Sequence, residues 1–233
     1  MADIKAINNS LHGNIKVKAN PTLVQAKDKH FAPVVVQEFV AACQEFPIVF
    51  VKEGETGQFK SIALLGLKPE QNLFFAEDAW QARYKPQALT LYPFLLNQAP
   101  DSEQAILCFD QDSPLINENE GEAFFDSEGK QSAWLSEQGE RVVKYVENTY
   151  ITGNFIKMLL ELDLLSSQTL NLKLADQAEY SLNGLYAIDE KKLNALDDEQ
   201  FAKLRKTGAL PAIYASLISM QRIHSLASIA IGK

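Results

Sequence analysis

The sequence predicts an α+β fold in which hairpins build an antiparallel sheet, helices pack against it, and the C-terminal half is rich in helix. Three observations predict this class. Short apolar runs separated by turn residues fill the first half of the chain. Segments with apolar residues at helical spacing dominate the second half. The 233 residues include no linker-like stretch and no internal repeat, so we expect a single α+β domain over residues 1–233.

The predicted sheet begins with a hairpin. Its two apolar runs, residues 48–51 and 61–67, are joined by a connection in which Gly54 and Gly57 suit a turn. Further short apolar runs are bounded by turn-forming residues, and we expect them to extend the same sheet. These runs are residues 73–76, 94–96 and 105–109.

A second hairpin is predicted in the C-terminal half, between residues 170–174 and 180–188. Asp176 and Gln177 lie near its turn. Between the early strands, residues 80–92 hold two prolines and few aliphatic side chains. Since proline interrupts a helix and aliphatic side chains build a core strand, this segment is predicted to be an ordered connector.

Two regions before residue 170 show helical periodicity. Residues 32–46 have the spacing of one helix, which ends where Pro47 would remove a backbone donor. Residues 132–165 repeat the pattern over a longer stretch, with an interruption near Thr152 and Gly153. We therefore expect one helix in the first region and two consecutive helices in the second.

Capping signals define the C-terminal helices. Asp197 and Gln200 have the spacing of a capping box, and Gly208 is placed to close the helix that follows. Pro211 then opens a last helix that is predicted to run to about Ile229. The apolar stripe of this last helix is predicted to contain Ile213, Leu217, Met220, His224 and Ala227.

Composition and charge exclude several classes of function. The formal net charge is −8, with 22 basic against 30 acidic side chains and no dense basic run, which disfavours binding to nucleic acid or to anionic lipid. The longest uncharged apolar stretch, residues 207–221, contains a proline and is too short to span a bilayer. No continuous apolar region for a cleavable signal precedes residue 20, so we expect a cytoplasmic protein without membrane insertion.

The chain contains two cysteines, and neither has a CxxC partner. Cys43 lies in the periodic segment 32–46, and Cys108 lies in the apolar run 105–109. Free cysteine is among the most frequently buried residues, so both are expected to be buried and reduced. One disulfide between them is the alternative.

Short strings along most of the chain, from His30 onward, resemble the signature of the bacterial SapC family. In the first half the matching strings are residues 45–50 (EFPIVF), 63–66 (ALLG), 84–86 (YKP) and 92–94 (YPF). In the second half they are residues 106–110 (ILCFD), 121–125 (GEAFF), 183–189 (NGLYAID) and 208–214 (GALPAIY).

The resemblance implies a context rather than a reaction. Members of the family occur beside genes for surface-layer proteins, outer-membrane receptors, cupin-like proteins and flavin-dependent halogenases. The implied function is a non-catalytic binding or accessory protein of a surface-layer or outer-membrane (TonB-type) uptake and modification system, with one of these proteins as its partner. Two alternatives are an enzyme that acts on a peptide or carbohydrate derivative and a structural component of the surface layer.

Three residues are candidates for catalysis. Asp110 and Asp112 follow an apolar strand, where a close pair of carboxylates could divide acid and base roles. The Asp-Ser-Pro sequence is also a strong turn signal, which explains the same residues without chemistry. His224 could serve as a base or metal ligand, but no second ligand lies one turn away from it, so core packing is expected.

Acidic residues are concentrated in segment 110–128, and clustered oxygen atoms are what a calcium ion requires. The spacing disagrees with a calcium-binding loop, because Leu115 stands where a glycine is needed and Gly121 where a bidentate glutamate is needed. A solvated acidic loop is therefore favoured. The motifs of serine hydrolases, zinc proteases and nucleotide-binding folds are missing, so neither metal nor cofactor is expected.

Aromatic and basic side chains of the connector form the predicted ligand-binding surface: Trp80, Arg83, Tyr84 and Tyr92. Flat rings and a guanidinium group pack well against a peptide or a sugar while their polar edges stay available. The alternative is that these rings cover the core and have no ligand.

Overall fold

The computed structural model describes residues 3–98, 105–173 and 179–231. It contains antiparallel sheets and a helical C-terminal half, which confirms the α+β class. Its strands in chain order are β1 (Ile4–Ala6), β2 (Lys16–Val17), β3 (Phe31–Pro33), β4 (Ile48–Lys52), β5 (Phe59–Leu64), β6 (Phe75–Ala76), β7 (Ala79–Trp80), β8 (Phe94–Gln98), β9 (Ala105–Asp110), β10 (Ile116–Asn117), β11 (Glu122–Ala123), β12 (Leu165–Lys173) and β13 (Glu179–Ile188).

The α-helices are α1 (Asn9–His12), α2 (Phe39–Ala42), α3 (Gln87–Thr90), α4 (Ala133–Glu161), α5 (Glu190–Asn194), α6 (Asp198–Lys206), α7 (Leu210–Ser219) and α8 (Arg222–Ile231). Short 3-10 turns occur at Val24–Ala26 and Val36–Glu38. Among the helices in the described ranges, none is both long enough and apolar enough to cross a bilayer.

The chain forms two compact units, and each is assembled from two separate segments. Unit 1 consists of Met1–Leu23 and Gln87–Glu147, and unit 2 consists of Val24–Pro86 and Asn148–Lys233. The expectation of a single domain stays a prediction.

Unit 1 contains two small antiparallel sheets, with strand orders β1-β9-β8 and β10-β2-β11. In the first, Phe94 of β8 lies opposite Phe109 of β9, and Ile4 of β1 lies opposite Asp110. The apolar runs 94–96 and 105–109 are therefore strands, as predicted, but they do not extend the sheet of the first hairpin. That part of the prediction is wrong because β9 takes its second partner, β1, from the start of the chain.

The core of unit 1 is built around aromatic rings. Phe109 meets Phe124 edge to face, with 5.1 Å between the ring centroids. Gly121 lies against the β2 backbone, where an added Cβ would come within 2.1 Å of the Val17 carbonyl oxygen. The buried side chains of this core are Val17, Leu91, Phe94, Phe109, Leu115, Phe124, Leu135 and Val142.

Unit 2 is organised around a five-stranded antiparallel sheet with strand order β12-β13-β4-β5-β3. The two predicted hairpins are confirmed, since β4 pairs with β5 and β12 pairs with β13. Gly57 takes a positive φ of 68° in the first connection. The predicted turn at Asp176 and Gln177 lies outside the described residues. The run 73–76 does not join this sheet, because β6 pairs with β7.

The prediction of one helix over residues 32–46 is wrong. Its beginning belongs to β3, which pairs with β5, and only α2 and a preceding 3-10 turn are helical. Side chains take the amides that a helix would have used. The Glu38 carboxylate accepts from the Val35 N–H at 3.0 Å, and Thr152 Oγ1 accepts from the Val36 N–H at 2.9 Å.

The predicted break near Thr152 and Gly153 is also wrong, because α4 is one continuous helix of 29 residues. The Thr152 hydroxyl donates back to the Asn148 carbonyl at 2.7 Å, a bond that is compatible with a helix. The helix ends before Asp163, which takes a positive φ of 51°.

The capping signals of the C-terminal region are confirmed. Asp197 and Gln200 form a reciprocal capping box at the start of α6. Gly208 follows α6 with a positive φ of 72°, and Pro211 lies in the first turn of α7. These signals act through neighbouring residues, which is why the sequence predicted them correctly.

The last helix is interrupted, in contrast to the prediction. The amides of Met220 and Gln221 bond to carbonyl groups three residues back, so α7 ends and α8 begins in a new phase. Ile223 and Leu226 are buried on α8, and His224 is exposed. The expected core packing of His224 is therefore wrong.

Both cysteines are buried and free, as predicted. Burial raises the pKa of the Cys43 thiol and of the Cys108 thiol, so both favour the protonated, unreactive form. The alternative of a disulfide between them is not realised.

Candidate functional site

The predicted ligand-binding residues Trp80, Arg83 and Tyr84 lie together in unit 2. Trp80 is buried against the rings of Phe46 and Phe74, with centroid distances of 6.0 and 6.3 Å. Its indole N–H donates to the Tyr84 carbonyl at 2.9 Å. The ring of Trp80 therefore packs inward and closes the connector on itself.

Two glutamates hold the rest of this connector. The Glu45 carboxylate accepts from the backbone N–H groups of Arg83 and Tyr84, at 2.9 and 2.8 Å. The Tyr84 hydroxyl donates to the buried Glu38 carboxylate at 2.8 Å. Burial and this hydrogen bond raise the pKa of Tyr84, so the hydroxyl stays protonated.

The same contacts explain two of the strings that resemble the family signature. Glu45 opens the string at residues 45–50, Tyr84 opens the string at 84–86, and the two are bonded. Arg83 is exposed, whereas Tyr84 is partly buried. The ligand-binding role of these residues stays a prediction.

The fourth predicted binding residue, Tyr92, lies in unit 1 beside the catalytic candidates. Its hydroxyl donates to Asp110 Oδ2 at 3.3 Å, and the peptide bond to Pro93 is cis. Burial raises the pKa of Tyr92, and the negative charges of Asp110 and Asp112 act in the same direction.

The two aspartates organise the turn after β9. Asp110 Oδ1 accepts from the Asp112 N–H at 3.2 Å, and the Asp110 carbonyl accepts from the Ser113 N–H at 3.2 Å. Both carboxylate oxygens of Asp110 therefore take part in local structure, while Asp112 is exposed. His224 lies on α8 in unit 2. A catalytic role for these three residues stays a prediction.

Unit 1 also contains an open cleft of about 630 Å³. It is formed by the first residues of the chain and by the segment that follows β9. Its lining includes Lys5, Asn8, Leu11, His12, Gln111 and Glu118. The cleft thus combines both signs of charge, a histidine ring and aliphatic surface.

His12 is the buried polar group of this cleft, with 6% of its surface exposed. Nδ1 accepts from the Asn8 N–H at 3.0 Å, and the ring meets Phe109 edge to face at 5.0 Å. Since Nδ1 is an acceptor, the neutral ring carries its proton on Nε2. Within the described residues, Nε2 has no hydrogen-bond partner. Burial and the charge of Lys5 lower the pKa of His12.

Sequence reasoning missed this cleft because His12 belongs to no motif. The available signal was the helix cap, since Asn8 Oδ1 accepts from the Ser10 N–H and so places His12 at the end of α1. The partners from the far segment, Gln111 and Glu118, are about a hundred residues away along the chain.

Metal binding was tested over the same residues. In the described part of the chain, no group of three or more His, Cys, Asp or Glu side chains is arranged to hold a metal ion.

Comparison with known proteins yields one finding. A family model described as SapC matches residues 7–226, which is most of the chain. No curated protein and no solved structure matches the chain.

Proposed function

Because the chain belongs to the SapC family, we propose that it is a non-catalytic binding protein that serves a surface-layer or outer-membrane (TonB-type) uptake and modification system. It works in the cytoplasm and acts through a protein partner. The partner is a flavin-dependent halogenase, a cupin-like protein or a component of the receptor system.

The observation that carries this proposal is how the signature residues are used. Glu45 ties down the connector, Gly66 leaves room for the Gln71 carbonyl, and Asp110 closes a turn. These residues build a shape, and their polar atoms are engaged in framework bonds. A signature that maintains a shape favours binding over chemistry.

Exposed apolar side chains in unit 2 support a protein partner. Helices α2 and α7 pack against each other, and their outer faces expose Val40, Tyr214 and Ile218 by 56%, 45% and 58%. Tyr214 and Ile218 are one helical turn apart. Apolar and aromatic residues on an outer face are typical of surfaces that another protein covers.

The test is affinity capture of the tagged chain from its native cell, followed by mass spectrometry. We expect a halogenase, a cupin-like protein or a receptor component to be enriched. The matched control is the double variant Tyr214→Ser and Ile218→Ser, whose exposed positions should leave the fold intact; loss of the partner would locate the contact on α7. A purified chain that turns over a substrate and captures none of these proteins would reject the proposal.

The enzymatic alternative rests on the cluster of Asp110, Asp112 and the Tyr92 hydroxyl. In that case the substrate is a peptide or carbohydrate derivative, and Asp110→Asn should abolish turnover while the fold is retained. A structural role in the surface layer is the second alternative, and fractionation of the native cell tests it by locating the chain.

A further inference from the structure

We propose that the cleft of unit 1 binds a small zwitterion, either a free amino acid or a short peptide. The carboxylate of the ligand lies at Lys5 and His12, and its ammonium group lies at Glu118. This site is separate from the protein-partner surface and does not depend on the proposed function.

The first argument is the state of His12. A buried imidazole loses hydration, so a ring nitrogen that faces a cleft requires a partner. Nδ1 is already bonded to the Asn8 N–H, which leaves the Nε2–H group as the donor on the cleft side. A donor at this position requires an acceptor oxygen on the ligand, and a carboxylate supplies one.

The second argument is the charge beside the ring. Lys5 lines the same cleft and acts electrostatically on His12. Its ammonium group pairs with Asp3 at 3.0 Å, but three N–H donors leave capacity for a ligand oxygen. An anionic group therefore binds more favourably at this end of the cleft than a neutral carbonyl does.

The third argument is the opposite charge supplied by Glu118. This carboxylate lines the cleft, and among the described residues it has no ion-pair partner. A purely anionic ligand would be repelled by it, whereas a ligand with an ammonium group would be attracted. Leu11 and Ile15 add apolar surface between the charged groups, which suits a ligand with small side chains.

The size of the cleft agrees with a small ligand. A volume of about 630 Å³ lies within the range of about 300–1,000 Å³ that small-molecule sites occupy. The cleft is open on one side, so the backbone of a short peptide could continue out of it.

The experiment titrates three ligands into the ¹⁵N-labelled full-length chain and follows its NMR signals. The ligands are L-alanyl-L-alanine, N-acetyl-L-alanine without the ammonium group, and L-alaninamide without the carboxylate. We expect the dipeptide to shift the His12 side-chain nitrogen and the amides of Gln111 and Glu118. Each analogue should bind about tenfold more weakly, because each loses one charge-assisted contact.

Variants at exposed positions distinguish a specific site from general weak binding. Glu118→Gln should weaken the dipeptide about tenfold and leave N-acetyl-L-alanine unchanged. Lys5→Gln should weaken both ligands. The matched control is Glu120→Gln, which removes a nearby carboxylate that pairs with Lys18 outside the cleft lining and should change nothing. Absence of shifts at millimolar dipeptide, or equal affinity for all three ligands, would overturn the proposal.

Discussion

At the residue scale, two glutamates and a histidine place polar chemistry inside the protein. Glu38 and Glu45 accept hydrogen bonds that tie the connector to the residues around α2 in unit 2. His12 does the same in unit 1 through Nδ1, but its second nitrogen faces a cleft. The glutamates are therefore structural, whereas His12 has a donor that remains available to a ligand.

The bond between Tyr84 and Glu38 makes a first prediction. Tyr84→Phe removes a hydroxyl donor from a buried carboxylate, and we expect the free energy of unfolding to fall by about 1–3 kcal/mol. Urea denaturation at neutral pH measures it. Tyr150→Phe is the matched control, since Tyr150 is 75% exposed, and its stability should stay within about 0.5 kcal/mol of wild type.

Trp80 separates packing from binding. Trp80→Ala removes a buried ring from between Phe46 and Phe74, and we expect a loss of about 3–5 kcal/mol in the free energy of unfolding. Partner capture, measured where the variant is still folded, should be unchanged. Unchanged stability together with lost capture would instead assign Trp80 to a binding surface.

His12 predicts a pH dependence of stability. Its pKa in the folded protein lies below the ordinary value of 6.5, so the unfolded chain takes up a proton first as the pH falls. The contribution of His12 to stability is full above about pH 6.5 and is lost as the pH falls through the folded pKa.

Urea unfolding of wild type and His12→Gln at about pH 7.5 and about pH 5.5 measures this effect. Wild type should lose more stability between the two values than the variant does. His224→Gln, which removes an exposed histidine, is the control and should keep the wild-type difference. Equal losses in wild type and His12→Gln would contradict the prediction.

At the element scale, signals that act over a few residues were interpreted correctly. The capping box of α6, Gly208 after it and the β4–β5 hairpin depend on local contacts, and all are confirmed. Elements that depend on distant partners were predicted wrongly. The helix expected at 32–46 fails because the Val36 amide bonds to Thr152, more than a hundred residues away.

Helix α4 shows the opposite error, because a glycine was taken as a break. An added Cβ at Gly153 meets nothing within 4 Å, so Gly153→Ala should raise the free energy of unfolding by about 0.5–1 kcal/mol. Gly121→Ala is the contrast, since its positive φ and the nearby Val17 carbonyl should make it destabilising. Thermal unfolding compares the two, and destabilisation by Gly153→Ala would contradict the continuous helix.

At the scale of the whole molecule, each unit joins segments that are far apart in the sequence. Strand β1 pairs with β9, and the cleft joins His12 to Gln111 and Glu118. Periodicity cannot indicate such pairings, because their cost and gain are both non-local. The sequence therefore predicted the α+β class and placed Asp110 and Asp112 at a strand end, but it could not reveal the cleft.

The central claim is that the chain functions by binding a protein partner. Sedimentation velocity tests it most directly, with the purified chain mixed with the purified partner recovered by capture. The account predicts a faster-sedimenting complex of fixed stoichiometry that also forms with Asp110→Asn. Separate sedimentation of the two proteins at micromolar concentration, together with substrate turnover that Asp110→Asn abolishes, would contradict it.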